Sequence, residues 1–211
     1  MREAVAGLLA KRSDSAAVRR AIASDVGYDT ELWQVLCEQI GVAALAIPER
    51  WGGADASPVE AHVVFEELGR TLTPSPLLGI YLCAQLLLAL GDSDACARLL
   101  PRIAAGEVVA LAWADESGWH DGAVTFADGT LSGTAHYVLD GDQAQALLVV
   151  TPSGVVEVDD PAGLGVTRVH TPTMDPTRRL ARITFDGASG SLVGTLSDAA
   201  RGPLETARDR V

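Results

Sequence analysis

A change of period near the middle of the chain constrains its fold more than any other feature of the sequence. Up to residues 99–101 the apolar residues recur with helical spacing, and a short helical turn closed by Gly106 follows. Residues 108–113 then form an apolar run with β-branched residues, which is typical of a buried strand. The polar loop at residues 115–118 ends that strand. The chain is therefore predicted to be helical in its first half and strand-rich in its second.

Start and stop signals divide the first half into helices. A small polar residue before an apolar run caps a helix, proline favours its first position, and glycine ends it. These rules predict helices at residues 1–12, 15–24, 31–40 (capped by Thr30 and ended by Gly41), 58–69 (after Ser57), 77–90 (after Ser75-Pro76) and 93–100 (opened by Asp92 or Ser93).

The second half follows a period of two, as half-buried strands do. Asp128-Gly129 is a tight-turn signal between two of these strands, and Ser197 caps a helical segment that Pro203 interrupts. Predicted strands cover residues 108–114, 123–127, 131–139, 146–150, 155–158, 166–170 and 179–185.

A run of helices followed by a run of strands predicts an α+β fold. We expect an all-helical N-terminal domain over residues 1–106 and an antiparallel β-barrel-like domain over residues 107–195. Residues 196–211 are expected to begin a C-terminal helical region. A Rossmann dinucleotide site is not expected, because no glycine-rich turn lies between a strand and a helix.

Composition excludes two classes of partner. A net charge of −12 leaves no basic face to neutralise nucleic-acid phosphates. The longest apolar stretch, residues 77–90, is too short to span a bilayer, and no targeting segment is visible at the N-terminus. We therefore expect a cytoplasmic protein with neither a nucleic-acid nor a membrane partner. The cysteines Cys37, Cys83 and Cys96 fit buried apolar positions better than a disulfide or metal site.

The polar clusters favour structural roles over catalytic ones. Asp115, Glu116, His120 and Asp121 fit no common zinc spacing, so a solvated loop is the favoured interpretation and no metal ligand is assigned.

Two further pairs of charged residues also favour structural roles. Asp140 and Asp142 flank Gly141, which favours a turn over a pair of catalytic carboxylates. Arg178 and Arg179 suit either a structural salt bridge, which is favoured, or a cofactor phosphate.

Several motifs follow one another along the chain: LW at 32–33 with GV at 41–42, IPERWGG at 47–53, FEELGR at 65–70, LLPRIAAGE at 99–107, LSGTAHYVLDG at 131–141 and DPTRRLARITFD at 175–186. In this order they resemble the motifs of the acyl-CoA dehydrogenases, which are flavoproteins that desaturate acyl-CoA thioesters. The version at residues 175–186 especially resembles subunits of the bacterial α2β2 heterotetramers that act in steroid degradation.

The resemblance implies a cofactor and a division into three parts. Members of the family combine a helical domain, a β-domain and a C-terminal four-helix bundle, and FAD lies between the last two. A glutamate on the bundle removes the substrate α-proton while a hydride passes to the flavin. This sequence is expected to lack that bundle, so no catalytic residue is assigned to it.

The loops that would face the flavin depart from the family pattern. Asp115 stands where the family has threonine, and a negative charge beside a ring that becomes anionic on reduction is unfavourable. The bulky pair Trp119-His120 replaces Gly-Ser, and Leu139 replaces a second threonine. By resemblance, the cofactor-binding positions of this chain are Trp113, Asp115, Trp119, His120, Tyr137 and Leu139.

These departures predict a degenerate, non-catalytic subunit of a heteromeric acyl-CoA dehydrogenase, inactive by itself. The complex is expected to hold FAD, a second acyl-CoA dehydrogenase subunit and an acyl-CoA substrate such as a steroid side-chain thioester. This chain's own loop is not expected to bind the flavin. Two alternatives remain open, namely a self-sufficient acyl-CoA dehydrogenase and a non-catalytic acyl-CoA-binding or scaffold protein.

Overall fold

The first half of the molecule is a layer of helices, as predicted. The computed structural model describes residues 1–119, 122–195 and 205, so the predicted helical segment around Ser197 and Pro203 lies outside the described residues. A π-helical turn at Leu36–Ile40 and a 3₁₀ turn at Glu49–Trp51 separate some of the helices. The helices are α1 (Arg2–Arg12), α2 (Ser15–Ile22), α3 (Thr30–Val35), α4 (Pro58–Arg70), α5 (Leu77–Leu90) and α6 (Ser93–Ala104).

In the part of the chain that the structure describes, the second half is a curled, mixed sheet of nine strands that forms a half-barrel. The strand order is β1-β6-β7-β9-β5-β2-β3, with β4 paired to β5 and β8 paired to β9. The strands are β1 (Val109–Ala112), β2 (Ala114–Asp115), β3 (Gly118–Trp119), β4 (Val124–Ala127), β5 (Thr130–Leu139), β6 (Ala146–Thr151), β7 (Gly154–Val158), β8 (Val166–Thr171) and β9 (Leu180–Gly194). The predicted α+β fold, with helices first and strands second, is confirmed.

One strand pair differs from the antiparallel arrangement that the sequence predicted. β1 runs parallel to β6, with Val109 opposite Ala146 and Ala112 opposite Val149. The chain leaves β1, builds the β2–β5 part of the sheet and returns in the same direction, which a parallel pair requires. Both strands are buried along their whole length, as strands in parallel pairs commonly are.

Several helix boundaries also differ from those predicted, and two of the differences have a clear physical cause. The cap of α3 is Asp29 rather than Thr30, because the Asp29 carboxylate accepts a hydrogen bond from the Leu32 amide at 2.9 Å. The predicted end of α6 at Leu100 is wrong, since the helix continues through Pro101 to Ala104. Leu99 and Ile103 are completely buried on either side of Pro101, and their burial offsets the backbone hydrogen bond that proline removes.

The strand predictions failed where strands are very short or rich in glycine. The single strand predicted at residues 108–114 is divided into β1 and β2, and the two-residue strand β3 shows no period at all. The strand predicted at residues 179–185 continues to Gly194 as β9. Residues 186–194 have low strand propensity because of three glycines, and pairing with β7 overrides that propensity.

The helical layer joins the sheet where α5 packs against β1. The Cys83 thiol of α5 lies 3.3 Å from the Val109 carbonyl oxygen and donates a hydrogen bond to it. Both residues are completely buried, and all three cysteines are free and buried, as predicted. No described helix is both long and apolar enough to cross a membrane.

Gly106 lies in the turn at which the chain passes from the helical layer into the sheet. Its φ is +90°, which favours glycine, and a Cβ there would lie 2.7 Å from the Cys37 sulfur. Its carbonyl oxygen accepts a hydrogen bond from the Trp33 indole at 2.9 Å. The turn that starts the sheet is therefore attached directly to the helical layer.

Replacing Gly106 with alanine should destabilise the fold more than the same change at Gly91. Both glycines have positive φ, but a Cβ at Gly91 meets open space. The additional cost at Gly106 should be about 1–3 kcal/mol because the new methyl overlaps the Cys37 thiol. Urea denaturation of Gly106→Ala and Gly91→Ala measures the difference, and Cys37→Ala should recover part of it. Equal losses at the two glycines would contradict this packing account.

Candidate functional site

A pocket of about 160 Å³ lies between α5 and the strands that follow Gly106. We call it the seam pocket. Gly79 and Leu82 of α5 form one wall, and residues of β1, β2, β3 and β5, with Trp113 between β1 and β2, form the others. Its lining consists of Gly79, Leu82, Leu111, Trp113, Ala114, Gly118, Trp119, His136, Tyr137 and Leu139.

The structure brings four of the six sequence-assigned cofactor positions into this lining: Trp113, Trp119, Tyr137 and Leu139. Asp115 lies in β2 but is not part of the lining. His120 lies outside the described residues. The four positions are thus close together in space, while their role toward a flavin remains a proposal.

Trp113 directly precedes a tight hairpin, residues 114–119, which carries Trp119. β2 pairs with β3, so that Ala114 lies opposite Trp119. The Asp115 carboxylate accepts hydrogen bonds from the Ser117 amide at 2.7 Å and the Ser117 hydroxyl at 2.6 Å. Asp115 therefore stabilises the turn of the hairpin, which is a structural task that side chains of this type commonly perform.

The rings of Trp113 and Trp119 pack edge to face. Their centroids are 4.8 Å apart with an angle of 63° between the ring planes, which is a favourable geometry for aromatic pairs. Trp113 is buried, whereas Trp119 is 56% exposed. Trp119 therefore covers the buried ring from the solvent side and narrows the mouth of the pocket.

Tyr137 and His136 lie at an irregularity in β5. The pairing of β5 with β9 shifts between Ala135 and Val138, and Tyr137 has a φ of +54°. A bulge of this kind redirects side chains. The Tyr137 hydroxyl donates a hydrogen bond to the Glu116 carbonyl oxygen at 3.1 Å, so it holds the hairpin against β5.

His136 is a lining residue that sequence reasoning missed. Its side chain is 18% exposed, and its Nε2 lies 3.8 Å from a Glu116 carboxylate oxygen. The pairing of Ala114 with His136 brings the ring to the pocket. No local pattern signals this position, because the contact depends on how β2 meets β5.

The α5 wall was also missed, although the sequence contains a signal for it. A Cβ at Gly79 would lie 3.5 Å from the Leu139 Cβ and 3.6 Å from a carboxylate oxygen of Asp140. A glycine inside an apolar helix often marks such a close approach. Gly79 thus lets the helix lie directly on the end of β5.

Behind Gly79 and Leu139 lies the buried carboxyl group of Asp140. Burial and, to a smaller extent, the nearby Asp142 carboxylate raise the pKa of Asp140 to about 7, while Arg178 and Arg179 oppose the shift. Asp140 has a φ of +52°, and its amide donates to the Arg179 carbonyl oxygen at 2.9 Å. The predicted turn at Asp140 and Asp142 is confirmed.

The predicted structural salt bridge is found for Arg179. Arg179 makes a bidentate contact with the Asp142 carboxylate, with three N–O distances between 2.6 and 3.0 Å. Arg178 donates to the Thr177 carbonyl oxygen. Among the described residues, no group of three His, Cys, Asp or Glu side chains is arranged to hold a metal ion.

The seam pocket does not fit a flavin ring as it stands. A cavity of roughly 150 Å³ accepts one benzene, and this pocket has about the same volume. Isoalloxazine consists of three fused rings.

The helical layer and the curled mixed sheet together define the fold of flavin-dependent acyl-CoA oxidoreductases. The family model for the acyl-CoA dehydrogenase N-terminal domain matches residues 1–107. The chain belongs to the acyl-CoA dehydrogenase family.

Relatives and solved structures agree with this assignment. The acyl-CoA dehydrogenase IpdE2 of Mycobacterium tuberculosis is 42% identical over 183 residues, which are 87% of this chain but 49% of IpdE2. The chain therefore spans about half the length of that relative.

Two solved structures share the fold at low identity. The ChsE4–ChsE5 complex from Mycobacterium tuberculosis matches 99% of this chain and 60% of its own, with a TM-score of 0.81 and 23% identity. A variant of the Tcur3481–Tcur3483 steroid ACAD covers 99% of this chain and 59% of its own, with a TM-score of 0.81 and 24% identity.

Replacing Asp140 with asparagine should stabilise the protein above neutral pH. In the unfolded chain this carboxyl ionises near pH 4, but in the folded state it stays protonated up to about pH 7. The wild type therefore loses stability as the pH rises from about 4 to about 7, and the loss is then complete. The asparagine side chain has no proton to lose, and asparagine tolerates a positive φ. Urea denaturation at pH 4.5 and pH 8 should show a gain at pH 8 of up to about 4 kcal/mol.

Asp140→Ala serves as the control for this experiment. It also removes the charge, but alanine at this φ carries backbone strain. Its stability should therefore show the same dependence on pH as Asp140→Asn, at a uniformly lower level. Stability curves of the wild type and Asp140→Asn that stay parallel between pH 4.5 and pH 8 would contradict the account.

Proposed function

We propose that this chain is a subunit of an FAD-dependent acyl-CoA dehydrogenase, which forms an α,β double bond in an acyl-CoA thioester. Within that enzyme it is the non-catalytic partner of a second acyl-CoA dehydrogenase subunit. Family membership supports the oxidoreductase role. The observation that carries the non-catalytic assignment is the contact of Trp119 with Trp113, which fills space that a flavin ring would need.

The polar groups near the seam pocket support the same assignment. Asp115 uses its carboxylate within the hairpin turn and adds negative charge there. Leu139 lines the pocket with a side chain that cannot donate a hydrogen bond. A flavin that gains negative charge on reduction would meet repulsion here rather than stabilisation.

We assign no catalytic base to this chain. A base must reach the α-carbon of the substrate before its pKa matters. The Asp140 carboxyl has a raised pKa, but it lies behind Gly79 and Leu139 and not in the pocket lining. In this proposal the base and the flavin-contacting loop come from the partner subunit.

The partner and the substrate class follow from the similar structures. One of them is a complex of ChsE4 with ChsE5, and the other is described as a steroid ACAD. They support a heteromer and a steroid side-chain thioester as the proposal for this chain. The exposed side chains of Leu164 in the turn before β8, of Met174 between β8 and β9, and of Leu72 after α4 offer apolar surface for such a partner.

A second candidate is favoured by the length of the relative. This chain corresponds to about half of IpdE2. It would also fit as the first half of a longer acyl-CoA dehydrogenase that carries its own base and flavin contacts. Flavin binding distinguishes the two candidates, because a self-sufficient enzyme must hold FAD next to these residues.

The purified chain should carry no flavin, and restoring the family threonines should not change this. Absorbance near 450 nm would be recorded for the wild type and for the double variant Asp115→Thr with Leu139→Thr. Both should be colourless, because the double variant keeps Trp119 in contact with Trp113. Adding Trp119→Gly to the double variant removes this obstacle and should give measurable FAD uptake. Stoichiometric FAD in the wild-type chain would overturn the non-catalytic assignment.

A further inference from the structure

The seam pocket has the features of a binding site for a group smaller than a flavin. We propose that it binds an apolar group of one-ring size that carries an uncharged hydrogen-bond acceptor, such as a carbonyl, and that His136 donates the hydrogen bond. This inference rests on the proposed function only in requiring that the pocket is not filled by FAD.

The size and the walls of the pocket define the apolar part of the ligand. Its volume of about 160 Å³ is close to that of a cavity that holds one benzene. Leu82, Leu111 and Leu139 contribute aliphatic walls, and Trp113 and Trp119 contribute ring faces and edges. A single six-membered ring or a short branched chain would replace water against these surfaces with a favourable free energy.

His136 defines the polar part. Tyr137 already donates its hydroxyl to the Glu116 carbonyl oxygen. The His136 ring, by contrast, faces the Glu116 carboxylate at 3.8 Å, which is beyond hydrogen-bond distance. Among the described residues the His136 ring makes no hydrogen bond, so its N–H can donate to a ligand in the pocket. A mostly buried donor gains free energy when it finds an acceptor.

The surrounding charges favour an uncharged acceptor over an anion. The Glu116 carboxylate lies beside His136, and the Asp115 carboxylate lies in the same hairpin. An anionic ligand in this position would be repelled by both. A ketone or thioester carbonyl accepts the same hydrogen bond without that cost.

A matched pair of probes tests this inference. Acetophenone and α-methylstyrene have nearly the same shape, but only acetophenone has a carbonyl oxygen. Saturation-transfer NMR titrations with the purified chain should give about five- to tenfold tighter binding of acetophenone. His136→Phe should abolish this preference and leave the affinity for α-methylstyrene within about twofold. His136→Gln keeps a donor and should retain part of the preference.

Gly79→Ala is the control for the location of the site. Its new methyl makes ordinary contacts at 3.5–3.6 Å with Leu139 and Asp140, so the fold should tolerate it. It narrows the pocket and should weaken both probes by a similar factor. Equal binding of the two probes by the wild type, no binding of either, or a preference that survives His136→Phe would overturn the inference. Absorbance near 450 nm on the same samples reports separately on the proposed function, because FAD in the chain would overturn that function. The ranking of the probes, measured on flavin-free protein, decides this inference.

Discussion

The packing of α5 against β1 is the contact on which the rest of the structure depends. α5 is apolar around its whole circumference, and β1 is buried along its full length. Packing the two elements together therefore removes apolar surface of both from water. The Cys83 thiol and the Val109 carbonyl oxygen join them at the centre. Because α5 lies on the sheet in this way, Gly79 and Leu82 form the seam pocket together with Trp113 and Trp119.

In the function that we propose, a few side chains keep the flavin away while the family fold is retained. Trp119 covers Trp113, Asp115 stabilises its own turn, and Leu139 offers no hydrogen bond. Each change acts on the loops at the sheet surface and leaves the core between α5 and β1 intact. The loss of a cofactor site that we propose is compatible with full retention of the family fold, because function resides in sites added to a fold.

Sequence reasoning predicted the architecture well because the dominant signals are local. The long apolar helix α5 and the turn signals of the second half are visible in short windows. It also placed Trp113 and Trp119 at one site. It missed His136, because the irregular pairing of β5 with β9 determines where that side chain points. It also ended β9 too early, because pairing with β7 extends that strand to Gly194. The parallel pairing of β1 with β6 is likewise a long-range property that no local pattern contains.

The central claim is that a partner subunit, and not this chain, contacts the flavin. The most direct test is the ratio of FAD to protein in the complex of this chain with its partner acyl-CoA dehydrogenase subunit, with the chain ratio fixed by quantitative amino-acid analysis. The account predicts one FAD for each pair of different chains. Two FAD molecules for each pair would mean that the loops around Trp119 hold a flavin of their own, and would contradict the account.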